Sequence, residues 1–165
     1  MEEYRKHMEV MNSVAALKEA CDDAYFKAPH SCSHAVWYVL RKLVRDDEPY
    51  RVANDLIDFL VTSPKWQSVL VKDIAKLANE GNLIVGGLKE HPNGHVLVVY
   101  PGTEKPRGGY YSGSDLVISR GSYARAMSTS KSSWPGAKSN GNLTVWDSWA
   151  NDDKFKKVKF WIFQK

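Results

Sequence analysis

The chain changes its pattern at Gly81, and that change constrains the fold more than any other feature. Before it, apolar residues recur every three or four positions: Val10, Val14, Leu17 and Cys21, then Ala35, Val36, Val39, Leu40 and Leu43, then Ala53, Leu56, Ile57 and Leu60. This is the period of helices with one buried face. The spacing predicts helices over Glu2–Asp23, Ser31–Arg45 and Val52–Val61, the last stopped by Ser63-Pro64, and a fourth from about Ser68 to Gly81. Beyond Gly81 the apolar runs are short and β-like: Leu83–Leu88, a Pro92-Asn93-Gly94 turn, His95–Tyr100, then Leu116–Ser119, Tyr123–Ser128, Leu143–Trp146 and Val158–Phe163. Helices first and hairpin-linked strands after predict an α+β fold, with N-terminal helices packed on a mostly antiparallel sheet.

The segments between the strands, notably Gly102–Gly109 and Ser128–Gly141, read as Ser/Gly/Lys-rich loops. The second holds Trp134, so it is either an ordered loop lining a site or a surface loop. No internal repeat is visible. At 165 residues the chain fits a single domain over 1–165 that needs no metal or disulfide staple. Its longest apolar runs are too short to cross a bilayer. The polar start, Met1–Lys6, lacks the apolar stretch of a Sec leader.

Charge is divided unevenly. Residues 1–80 carry 11 Lys and Arg against 13 Asp and Glu, net −2, and residues 81–165 carry 12 against 6, net +6. The C-terminal half therefore leans toward anionic partners, among which nucleic acid, anionic lipid and the bacterial wall all qualify. No nucleic-acid-binding motif is present. Gly86-Gly87 and Gly108-Gly109 lack the spacing of a phosphate-binding loop.

Two cysteines, Cys21 and Cys32, are too few for a disulfide framework and have no metal-type spacing. Cys21 continues the buried stripe of the first helix. Cys32 follows Ser31, a favourable N-cap, and so falls in the first turn of the second helix. There the helix dipole and free amides favour the thiolate and offer donors to an oxyanion beside it. Position alone admits two readings, a small buried hydrophobe opening a core helix or a nucleophile. The second needs a base. His95 opens a strand directly after Asn93-Gly94, where it is either a hairpin histidine or the imidazole that takes the thiol proton, with His91 and His34 as fallbacks. His30, Cys32 and His34 alternate, but on a helix starting at Ser31 the last two lie about 200° apart and cannot share an ion. No metal site is expected.

Several pieces in this order carry a resemblance: Cys32-Ser33 opening a helix, Ala53-Asn54 with Asp58, the strand Gly81–Lys89, Asn93-Gly94-His95-Val96 and a late Val145-Trp146. From roughly Tyr25 to the C-terminus the chain resembles the type VI secretion amidase effectors, the Tae family, which are papain-like, NlpC-type peptidoglycan amidases with relatives domesticated by eukaryotes. The resemblance implies Cys32 as nucleophile, His95 as base and an orienting third group on the next strand, Ser128 or else Ser130. It also places Tyr25 and Asn54 where residues lining the substrate site would sit; Ser33, next to the nucleophile, and Trp134, in the Ser128–Gly141 loop, are further substrate-binding candidates. The activity it implies is cysteine-dependent hydrolysis of stem-peptide amides, between D-glutamate and meso-diaminopimelate or at the D-alanine cross-link. No cofactor is implied. The implied setting is secretion as an antibacterial toxin into a target periplasm, as a monomer acting on the wall, with a cognate immunity protein and no nucleic-acid or membrane partner. The alternative is a non-catalytic wall-binding or inhibitor module.

Overall fold

The computed structural model describes residues 1–132 and 134–165. Its first half is helical: α1 (Glu2–Lys27), α2 (Cys32–Leu43) and α3 (Ala53–Thr62). The buried face of α1 begins only at Leu17 and continues through Ala20, Cys21 and Ala24. Residues 1–12 are all exposed, so Val10 lies outside the expected stripe, at 38% exposure. Ser31 caps α2 as expected, its hydroxyl accepting from the His34 amide.

The helices pack on a six-stranded antiparallel sheet, giving an α+β fold. Its strands are β1 (Trp66–Val69), β2 (Ile84–Leu88), β3 (His95–Arg107), β6 (Arg120–Ser128), β7 (Ser139–Thr144) and β8 (Lys159–Phe163), in the order β1-β8-β2-β3-β6-β7. A separate two-stranded hairpin, β4 (Tyr110–Ser112) with β5 (Asp115–Val117), projects between β3 and β6. Short α4 (Ile74–Asn79) and α5 (Asp152–Phe155) complete the elements used below.

Both faces of the sheet are covered, which explains why β3 reads as a continuous apolar run rather than an alternating one. Val96 and Val98 join Val85, Met127 and Trp161 against α1, α2 and α3. Leu97 and Val99 point the other way, into a second cluster with Ile74 and Ala78 of α4, Phe160 and Trp149. Gly86 and Gly87 serve this packing: a Cβ on Gly86 would lie 2.5 Å from the Phe160 ring, and one on Gly87 would lie 2.9 Å from Ile57.

Four expectations need correction. The helix expected from Ser68 is replaced by edge strand β1 and a 3-10 turn at Val71–Asp73, and only Ile74–Asn79 is α-helical. The reason is tertiary: β8 has an open edge, and Trp66, Gln67, Ser68 and Val69 pair with Phe163, Ile162, Trp161 and Phe160. Ladder pairing of this kind outweighs weak helical propensity. The strand expected over Leu143–Trp146 runs instead over Ser139–Thr144; Val145 and Trp146 are apolar because they are buried in the following turn. That turn forms around Asp147, whose carboxylate accepts from the Thr144 amide and hydroxyl. The strand placed at Leu116–Ser119 belongs to the small hairpin, not the main sheet. Most of the loop placed at Gly102–Gly109 is strand, since β3 continues to Arg107 past an irregularity between Tyr100 and Lys105.

Candidate active site

The start of α2, the start of β3 and the turn after β7 converge on one pocket of about 500 Å3, lined by Cys32, Ser33, Asn54, His95, Trp134 and Trp149 among others. Helix α2 delivers the sulfur at its first residue because Ser31 caps it, and a second latch holds this end. Ser33 Oγ and Tyr50 Oη lie 2.6 Å apart, and the Tyr50 ring stacks on His34 at 4.1 Å. The connection carrying Tyr50 is fixed in turn by buried Glu48, whose carboxylate accepts from Arg45 and Arg51 at 2.9 Å each.

Cys32 is half-buried and packs against the helix-side core. Burial pushes its thiol up, opposed by the amides of Val96, Ser33 and Cys32 itself, which hydrogen bond toward the sulfur. The Val96 amide is the peptide unit following His95, so the strand that carries the imidazole also touches the sulfur. Burial lowers the His95 ring to about 4. Both partners are therefore neutral at pH 7. His95 Nε2 lies 2.8 Å from Ser128 Oγ, and the ring meets Trp149 edge-on at 5.2 Å. Ser128 is 1% exposed and stands behind the imidazole, on the neighbouring strand β6.

The other residues singled out from sequence divide. Ser33 and Trp134 line the pocket, with Trp134 Nε1 donating to the Asp147 carbonyl at 3.1 Å. Asn54 lines it too, but both ends of its amide are engaged by the Glu90 backbone, Nδ2 donating at 2.9 Å and Oδ1 accepting at 3.3 Å. Tyr25 packs on the helix-side core instead of lining the pocket. Ser130 lines the pocket, whereas the hydroxyl beside the imidazole belongs to Ser128. Of the fallback bases, His34 Nδ1 is bound to Ser31 Oγ at 2.7 Å. His30 Nδ1 faces Lys138 Nζ at 2.9 Å, and His91 is exposed. Both cysteines are free thiols, and Cys21 is fully buried, its pKa raised by that burial. Among the described residues no three His, Cys, Asp or Glu side chains gather where they could hold one metal ion, and no helix is long and apolar enough to cross a membrane.

Sequence reasoning missed Ser148 and Trp149, which line the pocket with a buried hydroxyl and indole N–H that have no partner among the described residues. It also missed the Glu90–Lys154 ion pair at the rim, 3.0 Å long. The only sequence signal for the first two is the apolar run ending at Trp146, which has the pattern of a strand. No known protein-family model matches the chain, and no curated protein matches it.

Proposed function

We propose that this protein is a cysteine-dependent amidase of papain-like, NlpC-type arrangement that hydrolyses stem-peptide amides of bacterial peptidoglycan. One observation carries the reading: a single pocket holds a cysteine at a helix N-terminus and a histidine whose Nε2 is engaged by Ser128. A helix-borne thiol followed later in the chain by a sheet-borne imidazole is the papain order of parts.

The chemistry follows from the protonation states. With Nε2–H donated to Ser128 Oγ, the Nδ1 lone pair is left free, and no hydrogen bond to Nδ1 occurs among the described residues. Nδ1 takes the thiol proton as Sγ attacks the amide carbonyl, so the thiolate exists only as it reacts. Amides at the start of α2 stabilise the resulting oxyanion. His95 then gives the proton to the departing amine, the C–N bond breaks and a thioester remains on Cys32. Water, deprotonated by the same ring, cleaves the thioester and frees the acid.

The substrate, a D-glutamyl–diaminopimelate bond or a diaminopimelate–D-alanine cross-link, rests on the resemblance of the Cys32 and His95 segments. So do secretion into a target periplasm as an antibacterial toxin and the partnership with an immunity protein. The +6 charge of residues 81–165 supports residence on an anionic wall. Purified Gram-negative sacculi test the proposal: the protein releases soluble muropeptides, and mass spectrometry shows one added water at the bond cut. Cys32→Ala releases none yet still sediments with the wall. Release by Cys32→Ala would overturn the assignment, and sedimentation without release by the unaltered protein would favour a wall-binding module.

A further inference from the structure

A second pocket, of about 650 Å3, is lined by Arg107, Arg120, Gly121, Tyr123, Asp152, Phe155 and Lys156. Its construction concentrates positive charge. Arg107 closes β3 and Arg120 opens β6, and the two are register partners directly across the antiparallel ladder. Like charges placed so are unfavourable unless something anionic lies between them; Asp152 supplies one carboxylate, bonded to Arg107 and under the influence of Arg120 too, against three cations.

Arg107 is held in place: 7% exposed, its guanidinium lies 3.9 Å from the Trp146 ring centroid. It bonds the Asp152 carboxylate, which Trp146 Nε1 also donates to at 3.0 Å. Its Nε has no partner among the described residues. The guanidinium beside Asp152 holds that carboxyl below its usual range, so Asp152 is ionised at neutral pH. Arg120 forms no ion pair among the described residues, and Lys156 has only exposed Asp153 at 3.9 Å. Three cations therefore face a pocket whose own lining supplies one carboxylate, beside the aromatic pair Tyr123 and Phe155, whose centroids lie 5.4 Å apart.

We propose that this pocket is a binding site for an oxyanion, a phosphate or carboxylate group that bridges Arg107, Arg120 and Lys156. It is separate from the Cys32 pocket, and only the wall-borne source considered below rests on the proposed function. A rigid, mostly buried arginine provides the directional donors, and the two exposed cations supply charge. The oxyanion is either a free small molecule or a group borne on the wall polymer.

Inorganic phosphate titrated into the full-length protein, at ionic strength held constant with chloride and followed by 15N NMR, tests the site. The Gly121 amide and the Arg107 Nε–H should shift saturably, while amides near Cys32 stay fixed. Arg120→Ala with Lys156→Ala should weaken the affinity by about tenfold or more, and Arg120→Lys should restore part of it. Both altered residues project from the surface, so the fold survives. Sedimentation of the same variants with sacculi separates the sources: unchanged sedimentation assigns a free oxyanion, and reduced sedimentation assigns one carried by the wall. Non-saturating shifts, or equal shifts in the double variant, would overturn the proposal.

Discussion

Cys32 and His95 are tuned in opposite directions by the same cause. Burial raises the thiol and lowers the imidazole to about 4. If His95 is the base of the proposed amidase, kcat/KM should stay high until the ring protonates, so the acid limb of the pH profile falls near 4 instead of near 6.5. Stability carries the same signature. Between pH 6.5 and 4 the unfolded chain binds the His95 proton more readily than the folded one, so stability rises with pH and is lost as pH falls through that window, by up to about 3 kcal/mol. Urea midpoints measured across the window should show this slope, and His95→Gln should flatten it. Ser128→Ala removes the hydroxyl 2.8 Å from Nε2; kcat should drop about 10- to 100-fold with little change in KM, and stability by about 1–2 kcal/mol. The positions of Cys32 at the start of α2 and of His95 at the start of β3 were legible in the sequence because each depends on a local rule, a Ser cap before a helix and a turn before a strand. Tyr25 was misplaced because its side chain answers to long-range packing that no local pattern encodes.

The helices were legible where one face is apolar and long enough, as in α2 and α3. Edge strand β1 was not, because Trp66 to Val69 are extended for want of any alternative partner for β8, a fact belonging to the sheet. Trp146, Ser148 and Trp149 were obscured for a related reason: burial in a turn built around Asp147 produces the same apolar signal as a strand. The loop between β2 and β3 shows how one side chain sets an element. Asn54 of α3 grips the Glu90 backbone with both ends of its amide, and a Cβ on Gly94 would collide with that amide and, at 2.7 Å, with the Leu88 carbonyl. Asn54→Ala should cost about 0.5–1.5 kcal/mol by removing two hydrogen bonds to the partly buried Glu90 backbone. Because this loop leads directly into His95, amide exchange at Glu90–Gly94 should quicken and KM should rise more than kcat falls.

The molecule as a whole is a sheet clothed on both sides, with the candidate pocket where the helix layer meets the strand ends. Strand β3 is the shared wall of both cores. Leu97→Ala should therefore destabilise by about 2–5 kcal/mol, read from the shift in denaturation midpoint. If the protein resides on the wall as proposed, the charge division between the halves predicts that its sedimentation with sacculi weakens steeply as ionic strength rises past about 0.15 M, even in Cys32→Ala. Helices α1 to α3 and the main strands β2, β3 and β6 follow from hydrophobic period, whereas edge strand β1, which lies before Gly81, and the order of the strands do not, since β8 inserts between β1 and β2 from the far end of the chain. In the proposed reaction the Cys32 sulfur carries the acyl half of the substrate between two steps. Acid-quenched turnover on sacculi, followed by intact-protein and peptide mass spectrometry, reads this directly. A stem-peptide thioester on the Cys32 peptide, absent from Cys32→Ala, is the predicted result; muropeptide release that proceeds unchanged in Cys32→Ala would contradict it.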